Sequence, residues 1–309
     1  MRELAPNLWL LPGAMDSPPS LVMRRKNNSL LMTDPGLFWF AFGKNWELAR
    51  LRRATGANLH GVLLTHSHPD HIGNLRHVAP GVPVYCHKKS FWSLRSPGKL
   101  LEAGRILARK TGNSLTGFTA ADKPLAKLYG AVASIACGPK MRHEGMWGED
   151  GGVYGPFPPD GFQFDGYHVE VIETPGHCPG EVAFWIPEYG ILIGGDLVPN
   201  RPGRERVPSI YTPEGNLFAA QKSLVRIKAL KPRMIIPGHG DPIEDVEERL
   251  AILERSTQQI LRRVQMYRLG DPSRTASKLV ELVFADLPYK LRPNEKRCLV
   301  LSVLQHADT

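Results

Sequence analysis

The chain has 309 residues, 42% of them hydrophobic and 22% charged, with 39 Lys and Arg against 30 Asp and Glu for a formal net charge of +9. That length and balance fit an ordinary soluble protein able to bury a full core, with room for one large domain and a small one. No stretch approaches the roughly 20 apolar residues of a membrane-spanning helix, and four scattered cysteines without a CxxC pair exclude a disulfide framework and a thiolate zinc finger.

Met1 to Pro6 carries charge with no apolar segment after it, which predicts no signal peptide and a cytoplasmic location. Residues 7 to 34 read as paired strands, Leu8–Leu11, Ser20–Arg25 and Asn28–Thr33, with a polar hairpin turn at Lys26-Asn27-Asn28. Trp46, Leu48, Ala49 and Leu51 recur at helical spacing over 44–56, and Gly56 is a natural stop. His60-Gly61-Val62-Leu63-Leu64 then reads as a buried strand that ends where Thr65-His66-Ser67-His68-Pro69-Asp70-His71-Ile72-Gly73-Asn74 begins. Three imidazoles and a carboxylate within six residues, on a loop leaving a strand, converge as a metal cluster requires. In extended backbone, residues two apart share a side, so His66 and His68 suit one ion. Asp70 and His71, once the loop turns, face a neighbouring ion. Pro69 holds His68 extended. A strand over Val82–His87 is expected after the helix that this loop begins.

Three later segments repeat the pattern of an apolar run, then glycine, then a ligand-type residue. Val169–Thr174 leads into Pro175-Gly176-His177, Ile191–Ile193 into Gly194-Gly195-Asp196, and Met234–Ile236 into Pro237-Gly238-His239. Together with Thr33-Asp34-Pro35-Gly36 and the His66–His71 cluster, these segments resemble, in order, the five motifs of the metallo-β-lactamase superfamily of metal-dependent hydrolases, with metal motifs like those of glyoxalase II. The resemblance covers residues 1 to 90 and 165 to 245. It implies an α/β fold, an αββα sandwich holding two metal ions. It further implies His66, His68 and His177 as ligands of the first ion, Asp70, His71 and His239 as ligands of the second, and Asp196 bridging. Asp34 would brace the metal loops by hydrogen bonds.

His177 lies 106 positions after His71, more than the family pattern needs, so a helical insertion is expected over about 88–165. Between Lys99 and Glu144 it carries eight Lys or Arg against three acids, +5 of the chain's +9. A Gly- and Pro-rich return, Gly145–Phe162, is expected to hold little regular structure. The insertion is read as a lid or pocket wall, or alternatively as a face covered in a homodimer. Cys178 is either a small residue packed behind a ligand or a metal-proximal thiol. Arg201 and Arg204, on a basic loop beyond Asp196, are candidate contacts for a substrate carboxylate or phosphate, against the alternative of a solvated loop. His143, at the end of the insertion, is a candidate proton donor. His60, His77, His87, His168 and His306 have no partner pattern and read as structural or exposed.

A helix is expected over Pro213–Leu230, then three more over Asp245–Leu269, Thr275–Phe284 and Pro293–Gln305. Their order resembles the winged-helix-like C-terminal domain of the subfamily that includes β-lactamase-like protein 2. No strand pair for a wing is evident, so a helical cap is the description adopted. The domains expected are therefore 1–241, catalytic, and 242–309, helical.

Two divalent ions about 3.5 to 4 Å apart bridge a water and lower its pKa toward neutrality, and Asp70 is suited to orient the resulting hydroxide. The His and Asp set suits Zn²⁺, with Fe²⁺ or Mn²⁺ as alternatives. Hydrolysis is the reaction class, and no Walker loop, dinucleotide-type glycine loop or GxSxG elbow competes. A β-lactamase of the commonest zinc type would be expected to carry Cys where Asp196 stands. The expectation is an ester, thioester or lactone hydrolase acting on an anionic or carrier-linked acyl substrate. Cleavage of single-stranded RNA is the alternative, and a non-enzymatic metal- or partner-binding role the third reading.

Overall fold

The computed structural model describes residues 1–13, 17–36, 42–75, 82–90, 154–155, 157–210 and 214–306. The two helices expected within the 88–165 insertion, its basic charge, His77 and His143 lie outside these residues, and so does Pro213.

Two sheets form face to face. The first runs β1 (Arg2–Ala5), β2 (Leu8–Leu11), β3 (Ser20–Arg24), β4 (Ser29–Thr33), β5 (Asn58–Leu63), β6 (Val84–Tyr85), β7 (Tyr154–Gly155), each strand beside the next. Its first half is an antiparallel meander, and from β4 onward the pairs are parallel. Helix α1 (Phe42–Thr55) makes the β4–β5 crossover, and one short turn, α2 (Pro69–Ile72), follows β5. The second sheet contains β8 (Phe162–Gln163), β9 (His168–Glu173), β10 (Val182–Ile186), β11 (Ile191–Ile193) and β12 (Met234–Ile236), in the spatial order β12-β11-β10-β9-β8. Only β11 and β12 pair in parallel, joined across helix α3 (Leu217–Ala229).

The layers follow from which side chains need cover. Leu8, Leu21, Met23 and Leu63 of the first sheet meet Val182, Phe184, Ile193 and Met234 of the second in the inner core. The outer face of the first sheet buries Val22, Leu30 and Met32 against Leu48 and Leu51 of α1. The outer face of the second buries Ala183, Trp185, Leu192 and Ile235 against Leu217, Leu224 and Ile227 of α3. This is the αββα sandwich. Helices α4 (Val246–Gly270), α5 (Ala276–Val283) and α6 (Pro293–Leu304) continue the chain. Leu253, Ile260, Leu279, Val283, Leu299 and Val303 join that same outer core, so the C-terminal helices share it with the second sheet. No helix among the described residues is long and apolar enough to cross a membrane.

Several elements differ from expectation. Strand β10 was not anticipated: Val-Ala-Phe-Trp-Ile is buried on both faces, so it lacks the alternation by which a half-buried strand shows itself. Strand β1 also lay outside the expected pairs, and the strand over Val82–His87 shrinks to Val84–Tyr85. Tyr154–Gly155, inside the return expected to be irregular, pairs with β6. Trp46 points outward, 57% exposed, with the Arg50 guanidinium over its ring; Leu48 and Leu51 cover the sheet.

Candidate metal centre

Five loops reach one end of the sandwich. Strands β4 and β5 are parallel, as are β11 and β12, and β9 and β11 both run against β10, so within each sheet the strands that lead into these loops point the same way. Just past their ends stand Asp34, the His66–His71 cluster, Asp196, His239 and His177. The structure gathers the expected ligands into two groups: His66, His68 and His177, and Asp70, His71, Asp196 and His239. Within each group the ligand atoms lie within 4.8 Å of one another.

Outer hydrogen bonds decide which ring nitrogen of each histidine faces inward. His177 Nδ1 donates to the Ser209 carbonyl at 2.5 Å, which turns Nε2 inward, 2.8 Å from His68 Nδ1. His66 Nδ1 lies 3.1 Å from Thr65 Oγ1, leaving Nε2 for the site. The first group therefore presents His66 Nε2, His68 Nδ1 and His177 Nε2. The outer Nε2 of His68 faces Glu214 Oε1 at 3.9 Å. In the second group His71 Nδ1 faces Asp34 Oδ2 at 3.2 Å, and its Nε2 lies 3.2 Å from Asp196 Oδ1. His239 Nε2 is 3.0 Å from Asp70 Oδ2 and 3.4 Å from Asp196 Oδ2. That second oxygen of Asp196 is also 3.7 Å from His177 Nε2. Asp196 thus faces both groups, one oxygen toward His71 and the other between His239 and His177.

His66 Nε2, His71 Nε2, His239 Nε2 and Asp196 Oδ1 are buried and make no hydrogen bond. A buried polar atom left in that condition costs about 1–3 kcal/mol, and here several converge on one small volume. A divalent cation satisfies them together, and nitrogen with carboxylate oxygen is the donor set that zinc-like ions take. The residues present fit a metal centre.

The charge balance of the two groups differs. Burial, and then the neighbouring His71 and His68, holds His66 well below the ordinary histidine value, and burial with His68 brings His177 down to about 4. Both are therefore neutral, as ligands must be. Burial also opposes charge in the second group, but there the carboxylates prevail. Asp34 and Asp196 raise His71 well above its ordinary value, and Asp196 with Asp70 raises His239. Burial works against ionisation of Asp70, yet His239 and His71 hold its carboxyl at about 2, and the same two histidines hold Asp196 well below the carboxylate range.

The supports are themselves fixed. Asp34 accepts from Thr65 N at 2.9 Å and from Thr65 Oγ1 at 2.7 Å, so it braces the cluster from behind. A Cβ on Gly238 would collide with Asp196 Oδ1 and with the Gly195 carbonyl, so only glycine lets the His239 loop pass the carboxylate. Sequence reasoning missed Glu181, Ser209 and Glu214. Glu181 alone left a signal, a charged residue opening the apolar run Val182–Ile186. Cys178 is buried, and its thiol is pushed well above its ordinary value by burial and by Glu181 and Glu214, so it is no thiolate. Arg201 is half-buried, and Arg204 pairs with the buried Glu295 of α6. Residues 203–207 and 288–291 enclose a cavity of about 310 Å³.

Residues 16–239 match the family model of the metallo-beta-lactamase superfamily. A linear primary-alkylsulfatase of Pseudomonas sp. is 24% identical over 76% of this chain, which spans 44% of that protein's length. A probable metallo-hydrolase of Bacillus subtilis, YflN, is 26% identical over 63% of this chain and 69% of its own. In fold, the chain is similar to metallo-beta-lactamase family protein TTHA1429 of Thermus thermophilus, with a TM-score of 0.67 at 23% identity over 98% of this chain and 95% of that one. With its sandwich, its five motif loops and a match running from residue 16 to residue 239, the chain belongs to the metallo-β-lactamase superfamily.

Proposed function

We propose that this chain is a binuclear hydrolase that cleaves an ester, thioester or lactone of an anionic or carrier-linked acyl substrate. The placement of Asp196 carries the reading, since its two oxygens face different ligand groups, Oδ1 toward His71 and Oδ2 toward His239 and His177. His66, His68 and His177 would hold one divalent ion and Asp70, His71, Asp196 and His239 a second, Zn²⁺ by the donor set, and such ions would supply a water of lowered pKa and polarisation of the bond under attack. The chain supplies the rest. Asp70, ionised above about pH 2 and next to His239, orients the attacking water with the lone pairs left over from ligation. Asp34 and Ser209 hold His71 and His177 in register, so little reorganisation remains for the reaction step. A formal charge of +9 favours an anionic substrate, and the Pseudomonas relative is named for a substrate that is itself an anionic ester.

The test is hydrolysis of p-nitrophenyl esters, acyl-thioesters, lactones, a β-lactam and a fluorogenic RNA by metal-analysed wild type beside Asp70→Ala and His177→Ala. Turnover of esters or thioesters is expected, falling at least about 100-fold in both variants. Turnover of RNA alone, lost in the variants and suppressed by salt, would replace the acyl reading with a nuclease. Equal turnover in wild type and variants would remove the metal centre from the reaction.

A further inference from the structure

Outside the ligands, the least expected group among the described residues is the carboxylate of Glu181. It is 1% exposed and immediately precedes β10, whose residues are all apolar. Burying a carboxyl in such a place is costly unless it is used. Its Oε1 accepts from Asp196 N at 2.6 Å and from Leu197 N at 2.9 Å, while Oε2 is buried with no hydrogen bond. The backbone around it ties in the other ligand loops. Val182 N donates to the Thr65 carbonyl at 2.8 Å, Thr174 N donates to the Glu181 carbonyl at 3.1 Å, and Glu181 N to that of Cys178 at 3.4 Å. Gly195 adds a steric mark. It has φ +57°, and a Cβ there would lie 2.6 Å from Glu181 Oε1 and 3.3 Å from Thr65 Cβ, so the turn bearing Asp196 is moulded onto this carboxylate.

We propose that Glu181 is a positioning residue for the second metal site: through its two bonds to the backbone of Asp196 and Leu197 it fixes the Asp196 carboxylate between the two ligand groups. The side-chain oxygens of Asp196 are occupied by facing His71, His239 and His177, so its position depends on what holds its backbone. His66 and His177 are oriented by Thr65 and the Ser209 carbonyl, and His68 faces Glu214, so none of the three depends on Glu181 in the same way. Loss of Glu181 therefore weakens the second ion most, since the first keeps three histidines besides Asp196. This rests on the two-ion reading above.

The experiment is metal titration of the full chain against a chromophoric chelator, with stoichiometry from native mass spectrometry, on wild type, Glu181→Met, Glu181→Gln and Asp70→Ala. Met keeps the volume and removes the acceptor; Gln keeps an oxygen able to accept both N–H bonds. Wild type is expected to bind two ions, and Asp70→Ala one. Glu181→Met should bind the second ion about 10–100-fold more weakly, the usual effect of losing an outer partner, and the first, which keeps its three histidines, with clearly less loss. Glu181→Gln should lie within about threefold of wild type. Unchanged second-ion affinity in Glu181→Met overturns the proposal, as does equal weakening of both ions. A Met variant that does not fold, or a Gln variant as impaired as Met, shows a structural or charge-dependent role and overturns it also. A wild type that binds a single ion removes the two-ion reading and this proposal together, an outcome distinct from two ions in wild type and two undiminished in Glu181→Met.

Discussion

Asp34 shows how a residue that touches no substrate governs those that would. Its side chain takes two hydrogen bonds from Thr65 and faces His71 Nδ1 at 3.2 Å, while its main-chain carbonyl accepts from Ser20 Oγ at 2.6 Å. It does this at φ +32°, a backbone angle that Asp tolerates better than most residues. Asp34→Ala strands the Thr65 N–H, the Thr65 hydroxyl and His71 Nδ1 in a buried place, at about 1–3 kcal/mol per group. We expect a loss of about 3 kcal/mol or more in urea denaturation and metal binding about 10–100-fold weaker. An Asp34→Ala chain with wild-type metal affinity would show that His71 is oriented by something else.

The helices after β12 are attached by a few ion pairs as well as by their apolar faces. Glu295, buried in the first turn of α6, pairs with Arg204, and its other oxygen accepts from Arg292 N, at the N-cap position, at 2.7 Å. Arg263 of α4 makes a two-pronged pair with Asp286, at 2.5 and 2.8 Å. That second pair is open to solvent on the Asp side and adds little. The first is different, because removing one partner leaves a charge in a buried place. Glu295→Ala is expected to cost about 3–5 kcal/mol, read as a fall in the urea midpoint at unchanged slope. A cost below about 1 kcal/mol would mean that the Arg204 guanidinium finds water or another acceptor. Arg204 was also a candidate for gripping an anionic substrate, and its salt bridge to α6 gives it a role in joining the loop after Asp196 to the C-terminal helices.

Across the whole molecule the metal loops are where the two sheets are tied. One sheet contributes Asp34 and the His66–His71 cluster and the other His177, Asp196 and His239, so ions held between them cross-link the sandwich. A ligand that binds only the folded state stabilises it by about 2.7 kcal/mol when present at 100 times its Kd. At about 2–4 °C per kcal/mol for a chain of this size, dialysis against a chelator should lower Tm by roughly 5–10 °C. Zn²⁺ should restore it and Mg²⁺ should not, since imidazole-rich sites suit the former. An unchanged Tm after verified metal removal would show that the sandwich holds without its cross-link.

The sequence by itself determined the parts of this protein whose chemistry is local. A His or Asp set just past an apolar run is legible wherever it falls, and helices α3 to α6 announce themselves by apolar spacing and caps, such as Asn216 accepting from Ala219 N at 2.9 Å. The ring nitrogen each histidine offers was decided only by tertiary structure, because the outer partner of His177 is the Ser209 carbonyl and that of His71 is Asp34, 32 and 37 positions away. Strand β10 escaped for the same reason. A strand covered on both faces carries no alternation, and only the two cores on either side of it explain why Val182, Phe184 and Ile186 face one way while Ala183 and Trp185 face the other. Glu181 reads in sequence as a stray charge before an apolar run; it becomes a clamp once folding brings Asp196 and Leu197, 15 and 16 residues onward, to its carboxylate.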